Sequence, residues 1–122
     1  MNKFLNKFLN RFKFPIAGLV TIVKKDRNLI LHLVFAVIVI FVSLILKLNQ
    51  NEWLWIILAI FSVLITEIIN TSIEYVVDMY TDKYNILAKH AKDTAALAVL
   101  LSSIMAAIIG IMIFLPKLIE VF

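Results

Sequence analysis

The stretch Glu67-Ile68-Ile69-Asn70-Thr71-Ser72-Ile73-Glu74-Tyr75-Val76-Val77-Asp78 places three carboxylates and an amide at the end of a segment that otherwise reads as membrane-spanning. No charged residue occurs from Trp53 to Thr66, and Glu67 arrives while the apolar pattern is still running. An ionisable group at such a position costs a few kcal/mol to insert, so it needs a partner, a water-filled cleft or a proton. On a helix, Glu67, Asn70, Thr71, Glu74 and Asp78 fall at roughly 0, −60, 40, −20 and 20°. All five share one face. A solvated surface would scatter them, whereas a site aligns them.

Outward from this face, the chain consists of long apolar runs. Asn28 to Leu46 carries no formal charge, with His32 and Ser43 as its main polar interruptions, and Thr94 to Pro116 is charge-free throughout. With the segment that begins at Trp53, each run supplies the ~20 residues needed to cross a hydrocarbon core of about 30 Å. Of the 122 residues, 63% are hydrophobic and 16% charged, against about a quarter charged in a soluble domain. The fold expected is an all-α membrane protein: one bundle of three transmembrane helices, over about 29–48, 53–80 and 88–115. A single membrane domain covers residues 1–122, with 1–27 as an amphipathic interfacial segment.

Composition also excludes chemistry. The absence of cysteine removes disulfides and thiolate metal sites. With only Gly18 and Gly110, no glycine-rich phosphate loop can form. Nucleotide chemistry would fall to carboxylates, a metal and lysine.

Charge gives the orientation. Lys3, Lys7, Arg11, Lys13, Lys24, Lys25 and Arg27 precede the first span, and Lys83, Lys89 and Lys92 follow the second. Only Lys47 and Lys117 fall on the other side. This distribution puts the N-terminus in the cytoplasm and the C-terminus outside a cell (inner or plasma) membrane. The net charge of +4 is then accounted for by the anionic inner leaflet, without a nucleic-acid partner. Phe4, Phe8 and Phe12 form a period-four stripe beside basic residues, as suits a helix lying in the interface. Pro15 is expected to end or bend that helix.

As a continuous helix, the second span reaches about Tyr80, or ~42 Å, which exceeds the hydrocarbon thickness. Glu67 lies about 21 Å from Trp53, just inside the inner boundary, with Glu74 and Asp78 at or beyond it. The carboxylate ladder therefore straddles the interface between lipid and water. On the third helix, Ala88, Ala91, Ala95, Ala98, Ser102, Ala106 and Gly110 recur at the spacing of a close-packing face.

Aligned carboxylates, an amide and a nearby lysine suit metal-assisted phosphoryl transfer, since Mg²⁺ takes hard oxygen ligands and a further carboxylate can accept the alcohol proton. Intramembrane carboxylates also serve proton relays and cation transport. Spacing alone leaves a small proton-coupled transporter or channel subunit open, with Glu67 as the relay.

The residues themselves go further. Glu67-x-x-Asn70-Thr71-x-Ile73-Glu74-x-x-x-Asp78, followed by Leu87-Ala88-Lys89-His90-Ala91-Lys92-Asp93-Thr94-Ala95-Ala96, resembles the signature of the small prokaryotic diacylglycerol kinase/undecaprenol kinase family. The resemblance covers nearly the whole chain. It implies a homotrimer of three-helix subunits with shared active sites, moving the γ-phosphate of ATP to a lipid alcohol. It further implies Glu67 as catalytic base, with Asn70 beside it, and Glu74 and Asp26 as Mg²⁺ ligands. Asp78, Lys92 and Asp93 fall on the nucleotide side. Asp26 departs from the family pattern, which more often has Glu there. The Leu87–Ala96 segment is closer to the undecaprenol kinase branch, with diacylglycerol as the alternative substrate. His32 and His90 are expected to be interfacial or packing residues.

Overall fold

The computed structural model describes residues 2–122, so the first residue of the expected interfacial segment lies outside it. Five helices follow one another: α1 (Lys3–Asn10), α2 (Lys13–Lys25), α3 (Arg27–Ile45), α4 (Gln50–Tyr80) and α5 (Ile86–Val121). The last three are long and apolar enough to cross a membrane, and the chain is an all-α membrane protein.

The N-terminal segment breaks earlier than expected. α1 is capped by the Asn2 side chain, which accepts from the Phe4 N–H at 3.1 Å, and it ends before Arg11. Pro15 neither ends nor bends it. Instead it occupies the first turn of α2, where its missing N–H would have had no intrahelical partner. Phe4, Phe8 and Phe12 all face outward, with Phe8 and Phe12 edge to face at 5.4 Å.

α4 is the centre of the bundle, packed most extensively against α5 and also against α3. Its buried residues are Ile56, Ala59, Val63, Glu67, Asn70 and Thr71. Steps of three and four residues make this one helical stripe, apolar toward the N-terminal end of α4 and polar toward its C-terminal end. Ala95 of α5 is buried, and Ala88, Ala91, Ser102, Ala106 and Gly110 are half-buried. Ala98 departs from the expected small-residue line. It is exposed, and half-buried Val99 holds the corresponding position. Much of the remaining apolar surface, including Phe41, Phe61 and Leu101, is exposed, as lipid contact requires.

The α3–α4 connection is a tight cap. The Leu48 N–H bonds the Ser43 carbonyl and the Lys47 N–H bonds that of Leu44, each at 3.3 Å. This is the Schellman pattern, which places Lys47 at the left-handed position with φ 54°. Leu48 is buried beneath it. α4 then opens with a capping box between Asn49 and Glu52. Glu52 also pairs with Lys117 at 3.2 Å, clasping the N-terminal end of α4 to the C-terminal end of α5. α5 runs through Pro116, where the expected third span stopped. There the proline costs α5 one i→i−4 hydrogen bond and crowds the Met112 carbonyl, without ending the helix.

Candidate active site

Asp26 is the hinge on which the site is built. Its backbone (φ −106°, ψ 105°) is the single non-helical residue between α2 and α3. Its N–H closes α2 on the Ile22 carbonyl at 2.8 Å, and its Oδ1 accepts from the Asn28 N–H at 2.9 Å to open α3. Aspartate is among the best residues for that cap and glutamate is not, so the shorter side chain has a local structural reason. The other oxygen, Oδ2, accepts from the Thr71 hydroxyl of α4 at 2.8 Å. Partial burial pushes the Asp26 carboxyl up, but the neighbouring Glu67 carboxyl, the Thr71 hydroxyl and the Asn28 and Leu29 amides outweigh it. Asp26 therefore sits below its ordinary value of 3.8.

Glu67 is 2% exposed and is the deepest carboxylate of the ladder. Its Oε2 lies 3.7 Å from His32 Nε2 of α3, beyond hydrogen-bond range. One turn further inward, Asn70 Nδ2 donates to Glu74 Oε1 at 3.3 Å. Asn70 Oδ1 is buried without a hydrogen-bond partner among the described residues. At the end of α4, exposed Asp78 accepts from Lys92 Nζ of α5 at 2.8 Å, closing the loop between the two helices. Asp93 pairs instead with Lys89, one turn back on α5. The Lys25 ammonium rests 3.5 Å from the Tyr75 ring centroid, a cation–π contact.

The structure thus brings Asp26, Glu67 and Thr71 together, with Asn70 and Glu74 on the next turn. Asp78 and Lys92 form a separate pair nearer the C-terminal end of α4. Among the described residues, no group of three or more His, Asp or Glu is arranged as a metal cage. Three contacts went unread in the sequence. In the sequence His32 reads as an interfacial or packing residue, Thr71 shares the ladder's face without a task, and Lys25 reads only as part of the basic charge before the first span. His32 could have been found, since Leu29, His32, Ala36, Val39 and Ser43 follow one helical line.

Above Glu67, a groove of about 880 Å³ runs between α3, α4 and α5. His32 lines it at the end nearest Glu67, and Phe114 and Leu118 line it at the opposite end. Its walls are apolar, with Ala106 and Gly110 keeping α5 thin along its length.

Residues 13–114 match the family model described as prokaryotic diacylglycerol kinase. The chain belongs to the prokaryotic diacylglycerol kinase family. It is 40% identical to the undecaprenol kinase of Bacillus subtilis (strain 168) over 114 residues, which cover 93% of each chain. It is also 37% identical to a diacylglycerol kinase of Synechocystis sp. over 110 residues, covering 89% of this chain and 63% of that protein. This member of the family is a membrane lipid kinase, and a nucleotide is its cosubstrate.

Proposed function

We propose that the enzyme transfers the γ-phosphate of ATP to undecaprenol, giving undecaprenyl phosphate, with Glu67 as the base. The observation that carries the chemistry is the buried stripe of α4. It runs along the apolar groove and turns polar at Glu67, one turn beyond groove-lining Val63. An apolar chain lying in the groove brings its terminal hydroxyl to that carboxylate. The choice of undecaprenol over diacylglycerol is supported by the likeness to the Bacillus enzyme across nearly the full length of both chains.

In this reading, the alcohol proton passes to the Glu67 carboxylate as the alcohol oxygen bonds to Pγ. The bond from Pγ to the β,γ-bridging oxygen breaks, and ADP leaves. Asp26, Glu74 and the unpartnered Asn70 Oδ1 are hard oxygen donors that fit Mg²⁺, which takes few protein ligands and completes its shell with phosphate and water. Bound there, the ion would offset the charge of the phosphates and of the carboxylate pair. Lys92 meets the phosphates, with Asp78 and Asp93 holding the lysines of α5 in register. The basic end of the bundle faces the cytoplasm of the cell membrane, where ATP is available. A homotrimer whose subunits share sites is part of the same reading, supported by the likeness to the family.

The test is purified protein with ATP, Mg²⁺ and a panel of undecaprenol, diacylglycerol and ceramide, with Glu67→Gln as control. Undecaprenyl phosphate formed by the wild type and not by the variant is the expected result. No phosphorylated lipid from any alcohol refutes the kinase chemistry, while preference for diacylglycerol overturns the substrate alone.

A further inference from the structure

We infer that His32 is a second contact for the substrate hydroxyl, orienting the alcohol that Glu67 deprotonates. The inference rests on the lipid-kinase reading of this site. His32 projects from α3, whereas the ladder belongs to α4, and Nε2 faces Glu67 Oε2 across 3.7 Å. That gap is too long for a direct hydrogen bond. Neither nitrogen of the imidazole has another hydrogen-bond partner among the described residues. A hydroxyl group can accept from an imidazole N–H and donate to a carboxylate at once. An alcohol oxygen seated between the two groups satisfies both.

Position supports the same assignment. His32 lines the groove at the end nearest Glu67, so it touches the space where the chain lies and the carboxylate where the proton goes. Its side chain is 26% exposed, against 3% for Glu67, which leaves it open to an incoming ligand. Apart from Ser103 on α5, the groove-lining side chains are apolar. One polar contact at the end of an apolar channel fixes which atom arrives at the reactive carboxylate. A two-point contact also holds the oxygen's remaining lone pair toward the phosphate, whereas Glu67 alone leaves the hydroxyl free to rotate. A molecule of the same shape without the hydroxyl would leave both groups unpaired, the basis of strong discrimination.

The experiment compares wild type, His32→Leu, His32→Gln and Glu67→Gln in the lipid kinase assay. Lipid and ATP are varied separately, and thermal unfolding in detergent monitors folding. The Leu variant is expected to lose about 10- to 100-fold in kcat/KM for the lipid, with KM for ATP within about twofold of wild type. The Gln variant keeps a side-chain N–H at similar reach and should recover to within about threefold of wild type. A Leu variant equal to wild type overturns the inference, as does a Gln variant no better than Leu, because packing alone would then account for His32. If wild type is active and Glu67→Gln is not, these failures fall on His32 alone. An inactive wild type overturns the kinase reading and the inference together.

Discussion

Replacing Thr71 with valine removes a hydroxyl while keeping the shape of the side chain and the β-branching of the helix position. In the structure that hydroxyl is 2.8 Å from Asp26 Oδ2 on a residue only 2% exposed, and it is the hydrogen bond joining the α2–α3 hinge to α4. A hydrogen bond to a charged acceptor is worth about 1.5–3 kcal/mol. Asp26 is only partly buried, so water can replace some of the lost bond and the lower end, about 1.5 kcal/mol, applies. At 1.4 kcal/mol per tenfold, misplacing Asp26 should raise the Mg²⁺ concentration for half-maximal activity by about tenfold. KM for the lipid should stay near wild type, and Thr71→Ser, which keeps the donor, should restore the wild-type curve. The sign with pH follows from the same bond. Asp26 is held below its ordinary 3.8, so its stabilising contribution is present above that value and fades as pH falls through the depressed one. Valine removes one of the depressing bonds, so the variant should lose structure at a higher pH on acid titration. A Thr71→Val enzyme with wild-type Mg²⁺ dependence and wild-type acid unfolding would refute the reasoning.

Glu67→Gln should lower kcat by about 10²- to 10⁴-fold with little change in KM for ATP, measured as phosphorylated lipid formed. Lys92→Met should lower activity by about 10²-fold or more and raise KM for ATP. Asp78→Asn should do less, since it leaves the cation in place; equal losses would mean that the pair acts as a unit. Lys47→Gly should raise stability by about 1 kcal/mol in a detergent unfolding assay, because glycine adopts the left-handed cap conformation without a Cβ penalty.

The membrane architecture was legible because charge-free runs have few folded alternatives, and the carboxylate ladder was legible because one helix carries all of it. What the sequence could not supply is the crossing of α3 on α4. That crossing sets His32 against Glu67 and Asp26 against Thr71, pairs separated by tens of positions along the chain. Pro15 reads as a break, yet it falls in the first turn of α2, where the backbone tolerates it. In the sequence, Asp26 stands only as a departure from the glutamate more usual in the family, one methylene shorter. In three dimensions it is a helix cap, and the identity of the residue follows from the backbone as much as from any metal.

The groove lies along spanning helices and is walled by α3, α4 and α5, so its long axis runs with the acyl chains of the bilayer. A lipid can enter it without leaving the hydrocarbon phase. For such an enzyme the meaningful substrate concentration is a mole fraction in the surface. Diluting the alcohol with inert detergent or phospholipid at constant bulk molarity should slow the reaction, whereas diluting the whole suspension should leave the rate per enzyme molecule unchanged. The relevant encounter is two-dimensional, and the affinity of this enzyme for its lipid is properly expressed in mole per cent.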